Sequence, residues 1–224
     1  MPIQNRAAIG KVPSGYRMKK VADRGEIYLY GVIGVDFWGD GISAKTFADD
    51  LKALGAVSTI DLRINSEGGD VFAGKAMYTL LNDHKATVVT HIDGLAASAA
   101  SYVAMAGDEI LISEAAYLMI HNSWTVAIGG ADDMRRTADL LDSVNGTVRD
   151  VYVARTKNSA DKVKKWMDEE TWFTGKEAMD NGFADKMVEN LKVAASVRDP
   201  ERFKHLPNAL LPNRARVAAA LARV

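Results

Sequence analysis

Two serines three residues apart, Ser98 and Ser101, lie in the small-residue stretch GLAASAASYVAMAG at 94–107. The chain has no cysteine, so any nucleophile must be a hydroxyl or a lysine amine. A serine becomes reactive beside a base, and the histidines available are His84, His91, His121 and His205. In the first turn of a helix, unpaired N–H groups and the positive helix end favour developing negative charge, so a serine there is placed for acyl transfer. The alternative use of both serines is packing, because small residues let backbones approach closely. The sequence AASAAS fits either use, and the G-x-S-x-G elbow of the α/β-hydrolases is absent.

Among the histidines, His121 ends the apolar run AAYLMIH, which puts an imidazole at a strand terminus where it can meet another loop. His91 falls inside a strand, His84 in the polar NDHK and His205 in the C-terminal tail, where packed or solvated roles suffice. The NSEGGD stretch at 65–70 closes a strand and opens a helix. Its glycines make a tight turn, or aim backbone N–H groups at an oxyanion. Neither the P-loop pattern nor G-x-G-x-x-G is present, which argues against a nucleotide site. MDEETWF at 167–173 offers Asp168, Glu169 and Glu170, either as a solvated acidic face or as partners for an imidazole. HExxH is absent and no spacing specifies a metal, so neither metal nor cofactor is expected.

Positioning these groups requires strands that end beside helices, and the pattern supplies them. EIYLYGVIG (26–34) reads as a strand, and SAKTFADDLKAL (43–54) as a helix capped by Ser43 with Phe47, Leu51 and Leu54 on one face. TIDLRIN is the next strand and VFAGKAMYTLLNDH (71–84) the next helix. ATVVTHID follows as a strand, then a small-residue helix beginning just after Gly94 with Ser98 in its first turn, then the strand EILIS. That alternation predicts an α/β fold. A long, largely exposed helix over 131–156 is weakened at Gly146. A short helix at SADKVKKWMDEE comes next, then one capped by Thr174 and Glu177 that Gly182 stops.

The 224 residues suit one domain with tails. The boundaries are an N-terminal arm over 1–24, the domain over 25–192, and an arginine-bearing tail over 193–224 that ends in a short helix. Lys and Arg number 28 against 29 Asp and Glu, a balance that points to no nucleic acid and no anionic membrane. The most apolar stretch, Gly94 to Gly107, is shorter than the roughly 20 residues a bilayer requires. The N-terminus lacks the apolar run of a signal peptide, so a soluble, cytosolic protein is expected.

In order along the chain, INSEGGDVFAGKAMY, GLAASAASYVAMAG, LMIHNSW and ETWFTGKEAMDNGFAD resemble the proteolytic subunit of the Clp protease, over residues 26–190. The resemblance implies a crotonase-like spiral of ββα units, with the 131–156 helix as a handle through which two heptameric rings face each other as a tetradecamer. It implies that Ser98, after Gly94-Leu95-Ala96-Ala97, is the nucleophile, and that His121, ending M-I-H, is the base. Ser101 becomes a packing residue. The third member of the family's triad is an aspartate; Glu170 stands at that position, with Asp168 in reserve. The implied oxyanion donors are the N–H groups of Gly69 and Ala99.

EETWFT and the arginine-rich tail resemble most the Clp-like head maturation proteases of tailed phages and prophages. Those enzymes trim scaffold and capsid proteins within the prohead in the host cytosol. The rival expectations are a housekeeping Clp subunit with an ATP-driven unfoldase, a crotonase-fold acyl-CoA enzyme, and a non-catalytic shell or scaffold protein.

Overall fold

The β-branched and aromatic run after residue 24 forms a long strand, β2 (Arg24–Val35), which folds back antiparallel on β1 (Arg17–Val21). This is a computed structural model, and it describes residues 15–35, 40–189 and 197–211. A two-residue strand β3 (Gly41–Ile42) and helix α1 (Ala44–Leu54) follow; the Ser43 hydroxyl accepts the Thr46 N–H at 2.9 Å, capping α1. Phe47, Leu51 and Leu54 are buried at helical spacing. Burying each stabilises by about 1.5–3 kcal/mol.

Then come β4 (Thr59–Gly69), α2 (Val71–Asn82), β5 (Thr87–Ala97), α3 (Ala99–Ala104), β6 (Glu109–Ser113) and β7 (Tyr117–Ile120). The chain continues through α4 (Ala131–Thr156), α5 (Ala160–Asp168), β8 (Thr171–Thr174), α6 (Gly175–Asp180) and β9 (Lys186–Val188). Two 3₁₀ turns, Pro200–Arg202 and Asn208–Leu210, lie in the tail.

The sheet runs β1-β2-β4-β5-β6-β9, parallel from β2 onward, with helices between its strands. This is a mixed α/β fold, as the alternation predicts. Ile27, Leu29, Ile60, Leu62, Ile64, Ile92, Ile110 and Ile112 are almost wholly buried in it, the apolar run that a covered parallel sheet demands. One buried ionic cluster spans three neighbouring strands. Tyr30 donates to Asp93 at 2.5 Å, and Arg63 pairs with the same carboxylate through two nitrogens. Pairing of that kind is what permits a charge to be buried at all.

Three features differ from the sequence expectations. First, no helix begins after Gly94. Residues 95–97 remain extended, because β5 bends away from β6 and pairs with β7, Leu95 opposite Tyr117 and Ala97 opposite Met119. Strand pairing satisfies their backbone, overriding the helical look of the alanines, and α3 starts only at Ala99. Secondly, β1 belongs to the segment taken as an arm; its hairpin with β2 gives residues 17–21 backbone partners. Thirdly, residues 197–211 of the tail are packed, not loose: Val197 and Leu210 are buried against Leu95, Ala97 and Met119. Residues 1–14 of the arm and the short helix expected in the last residues lie outside the described residues. The 131–156 helix is continuous, since the space around Gly146 is open and nothing there opposes the helix. It is anchored by Val144, Val148, Tyr152 and Thr156, while its first half is exposed.

Candidate active site

Between the end of β5 and the start of α3 the chain must turn within one residue, and Ser98 makes that turn with φ 54° and ψ −126°. A positive φ costs a residue with a Cβ about 1–3 kcal/mol, so the surroundings must enforce it. They do so from both sides. The Ser98 N–H donates to the Met119 carbonyl at 3.0 Å, and the Ser98 carbonyl accepts the Ser101 N–H at 3.0 Å. Gly68, at φ 91°, lies directly against this corner; a Cβ there would come within 2.5 Å of the Ala97 carbonyl and 2.8 Å of the Ser98 Cβ. Helix α2 also packs closely, since a Cβ on Gly74 would lie 3.2 Å from that of Ala99. The small residues therefore serve close approach, and that approach holds a strained serine at the lip of a cleft.

Ser101 is buried and locked. Its Oγ lies 2.7 Å from the Ser98 carbonyl, 2.8 Å from the Met119 carbonyl and 2.9 Å from the Tyr152 hydroxyl. Its single proton goes to the carbonyls, so Tyr152 donates to it. Ser101→Ala is expected to leave the buried Tyr152 hydroxyl without its partner, while both carbonyls keep backbone N–H donors, at a cost of about 1–3 kcal/mol in unfolding free energy. Chemical denaturation measures that loss, and the Ser98 side chain itself is untouched.

His121 follows β7 directly, and its Nε2 lies 2.8 Å from the Ser98 Oγ. The antiparallel register of β7 and β8 pairs Ile120 with Thr171, which makes His121 and Glu170 the next opposing residues. Glu170 is buried and also has positive φ, 49°. Its Oε1 accepts the Trp172 indole N–H at 3.2 Å and the His205 backbone N–H at 2.8 Å, while Oε2 lies 3.9 Å from His121 Nδ1. That separation exceeds hydrogen-bond reach, but the charge is still felt. Burial pushes the His121 imidazole below its ordinary value; Glu170 pulls it up, and Arg202 and Lys204 push it down again. The net direction is downward, so the ring is neutral, as a base at neutral pH must be.

Asp168 is engaged elsewhere. Asn122 donates to one of its oxygens at 2.9 Å and Lys164 to the other at 2.7 Å, both on the surface. Gly69 and Ala99 line the same cleft as Ser98 and His121, a space of about 460 Å³ whose apolar walls include Phe72, Tyr102, Leu141, Trp124 and Phe203. As the first residue of α3, Ala99 has an N–H without an i−4 carbonyl in its helix. A Cβ on Gly69 would lie 2.0 Å from the Ile33 carbonyl, so glycine is required there.

The remaining histidines have other work. The His84 ring accepts the Ala86 N–H at 3.1 Å, His91 lies 3.3 Å from Asp61, and His205 contributes its backbone. Trp172, the His205 N–H and Phe203 were not expected at the site. Sequence carries no signal for a contact made by a segment 35 residues beyond its target. Among the described residues no group of three His, Asp or Glu is placed to hold a metal, and no helix is long and apolar enough to cross a membrane.

Residues 20–191 match the model of the Clp protease family, "Clp protease". The chain is 32% identical over 130 residues to the ATP-dependent Clp protease proteolytic subunit 2 of Bifidobacterium longum, covering 57% of this chain and 62% of that protein. It is 31% identical over 159 residues to proteolytic subunit 3 of Streptomyces coelicolor, covering 68% and 72%. Against the proteolytic subunit of Bacteroides fragilis the identity is 30% over 154 residues, covering 66% and 74%. The tail at 197–211 lies beyond the family match.

Proposed function

The chain belongs to the Clp protease family, and from that premise we propose that it is a serine endopeptidase, acting as the head maturation protease of a tailed phage or prophage. The observation that carries the peptidase reading is the 2.8 Å contact between His121 Nε2 and the Ser98 Oγ, at a serine held with positive φ. His121 takes the Ser98 proton as the oxygen attacks the scissile carbonyl, and the Gly69 and Ala99 N–H groups hold the oxyanion. His121 then protonates the leaving amine. Water, deprotonated by the same ring, releases the acyl-enzyme and regenerates Ser98. Glu170 keeps the proton on Nδ1 and stabilises the imidazolium. No cofactor enters these steps.

The catalytic domain of this reading is 25–192, arranged as the family's spiral with α4 as handle. Trp124, Val126, Ile128 and Leu140 are more than half exposed on and just before α4. Apolar side chains left in water suit a contact between copies, here heptameric rings paired as a tetradecamer that confines unfolded or flexible chains. Static light scattering at micromolar concentration is expected to give the mass of such an assembly, and a monomer would refute the confinement. The proposed substrates are scaffold and capsid proteins, and the proposed place is the host cytosol or the prohead within it.

A second reading is favoured by the names of the relatives, which are ATP-dependent proteolytic subunits. In that case the chain serves a housekeeping unfoldase. A fluorophosphonate probe with mass spectrometry of the adduct tests the peptidase itself, the expected site being Ser98. Cleavage of a scaffold protein without ATP then supports the phage role, whereas cleavage of folded substrates only with an ATPase partner supports the housekeeping one.

A further inference from the structure

We propose that the tail segment 197–211 is a working part of the catalytic apparatus: through the His205 backbone N–H, assisted by the Trp172 indole, it holds the Glu170 carboxylate toward His121. This rests on the Ser98, His121 and Glu170 assignment above. Glu170 is the place where the chain departs from the family aspartate, and the extra methylene gives the carboxylate one more rotor to restrain. Both available donors act on the same oxygen, His205 N–H at 2.8 Å and Trp172 Nε1–H at 3.2 Å on Oε1, which leaves Oε2 to face the imidazole.

The segment is built to hold that position. Val197 and Leu210 are buried against Leu95, Ala97 and Met119, the strand ends that lead into Ser98 and His121, and the Val197 N–H meets the Leu210 carbonyl at 3.3 Å to close the loop. At its start the Arg198 N–H donates to the buried Glu67 carboxylate at 2.7 Å, beside the Gly68–Gly69 turn. In its middle Phe203 sets its ring edge to face with Trp172, centroids 5.4 Å apart, and 6.3 Å from the ring of His121. Three separate anchors thus fix the His205 N–H with respect to Glu170. The tail residues of all three anchors lie beyond the stretch that matches the family.

The opposite role is an inhibitory strap, since Arg202 and Phe203 line the cleft that holds Ser98. The two roles predict opposite signs. The charged groups lining the space around His121 are Glu67, Asp70, Asp168, Glu170, Asp199, Glu201, Arg202 and Lys204, and the test keeps all of them, with His205→Ala, which retains the backbone N–H, as the control for loss of the His205 imidazole. His205→Pro in the full chain deletes the N–H, and Trp172→Phe deletes the indole donor while keeping a ring for Phe203. Peptide hydrolysis is followed against pH, with active sites counted by a fluorophosphonate.

Each variant is expected to lower kcat per active site about tenfold, as loss of one hydrogen bond to a charged group implies, with KM nearly unchanged. The acid limb of kcat/KM is expected to move to lower pH, because a carboxylate that wanders raises the His121 pKa less. In a Glu170→Ala background neither change is expected to do anything more. A purely structural role would reduce the count of active sites and leave the acid limb in place. Where His205→Pro does not fold by circular dichroism, Trp172→Phe alone decides. A variant pair with wild-type kcat and acid limb overturns the proposal, as does a gain of activity, which would make the segment a strap. Failure of the probe to label wild-type Ser98 overturns the triad assignment instead.

Discussion

Ser98→Ala is expected to lower peptide turnover by about 10⁶-fold and to abolish labelling by a fluorophosphonate, the scale on which removal of a nucleophile acts when the triad works as a unit. What remains comes from the oxyanion donors and substrate binding alone. The fold should survive. An alanine meets the same backbone strain at φ 54° as the serine does, and the hydrogen bonds that hold the corner use the Ser98 backbone and Ser101. The Ser98 hydroxyl itself is met by His121 alone among the described side chains, so its removal leaves no buried donor orphaned. Thermal unfolding within a few degrees of wild type, together with lost turnover, is therefore the expected pair of results. Retained activity, or an adduct on another hydroxyl in wild type, would remove Ser98 from the mechanism.

Local signals were the legible ones. Ser43 and the Thr174–Glu177 box cap their helices as their spacing says, because a cap needs only residues three apart in sequence. The strand-helix alternation gave the α/β class for the same reason. What escaped the sequence was decided at long range. Residues 95–97 look helical from composition, yet β7 arrives to pair with them, and that one event shifts the start of α3 to Ala99 and bends Ser98 into positive φ. Sequence alone groups Gly68 with Gly69 in one turn, but its own task is to let β4 touch Ser98, which only a third dimension reveals. The prolines and arginines of the tail suit a linker by composition, while Val197, Phe203, Leu206 and Leu210 are spaced to fill gaps beside β5 and β7.

The site brings a neutral histidine into contact with a serine, and the longer separation is on the other side of the ring. At 3.9 Å the Glu170 carboxylate is about 1 Å beyond a hydrogen bond to Nδ1. Within a buried site a charge at that distance still acts on the ring. The Glu170 charge, moreover, is the one force on His121 that raises the pKa against burial, Arg202 and Lys204. Turnover needs both states of the ring, neutral to accept the Ser98 proton and cationic in the intermediate.

Glu170→Gln should therefore lower turnover by about 10²- to 10⁴-fold, and the surroundings explain why an isosteric change does so much. The His205 N–H and Trp172 N–H both point at one oxygen, so the amide must place its own oxygen there to accept them. Its NH₂ is then turned toward His121 Nδ1 as a donor. That arrangement favours the tautomer with the proton on Nε2, which presents a donor to Ser98 where a base is needed. The apparent pKa of His121 falls as well, because the carboxylate charge is gone while burial and both cations stay, so the acid limb of kcat/KM moves to lower pH although the plateau drops. Asp168→Asn, by contrast, disturbs only surface contacts with Lys164 and Asn122, and turnover should stay within about threefold of wild type with the limb unmoved. If Asp168→Asn proves the damaging change, the acid has been assigned two residues too late. If neither substitution moves the limb, His121 works without a carboxylate, and the clamp formed by Trp172 and His205 holds a side chain that catalysis does not use.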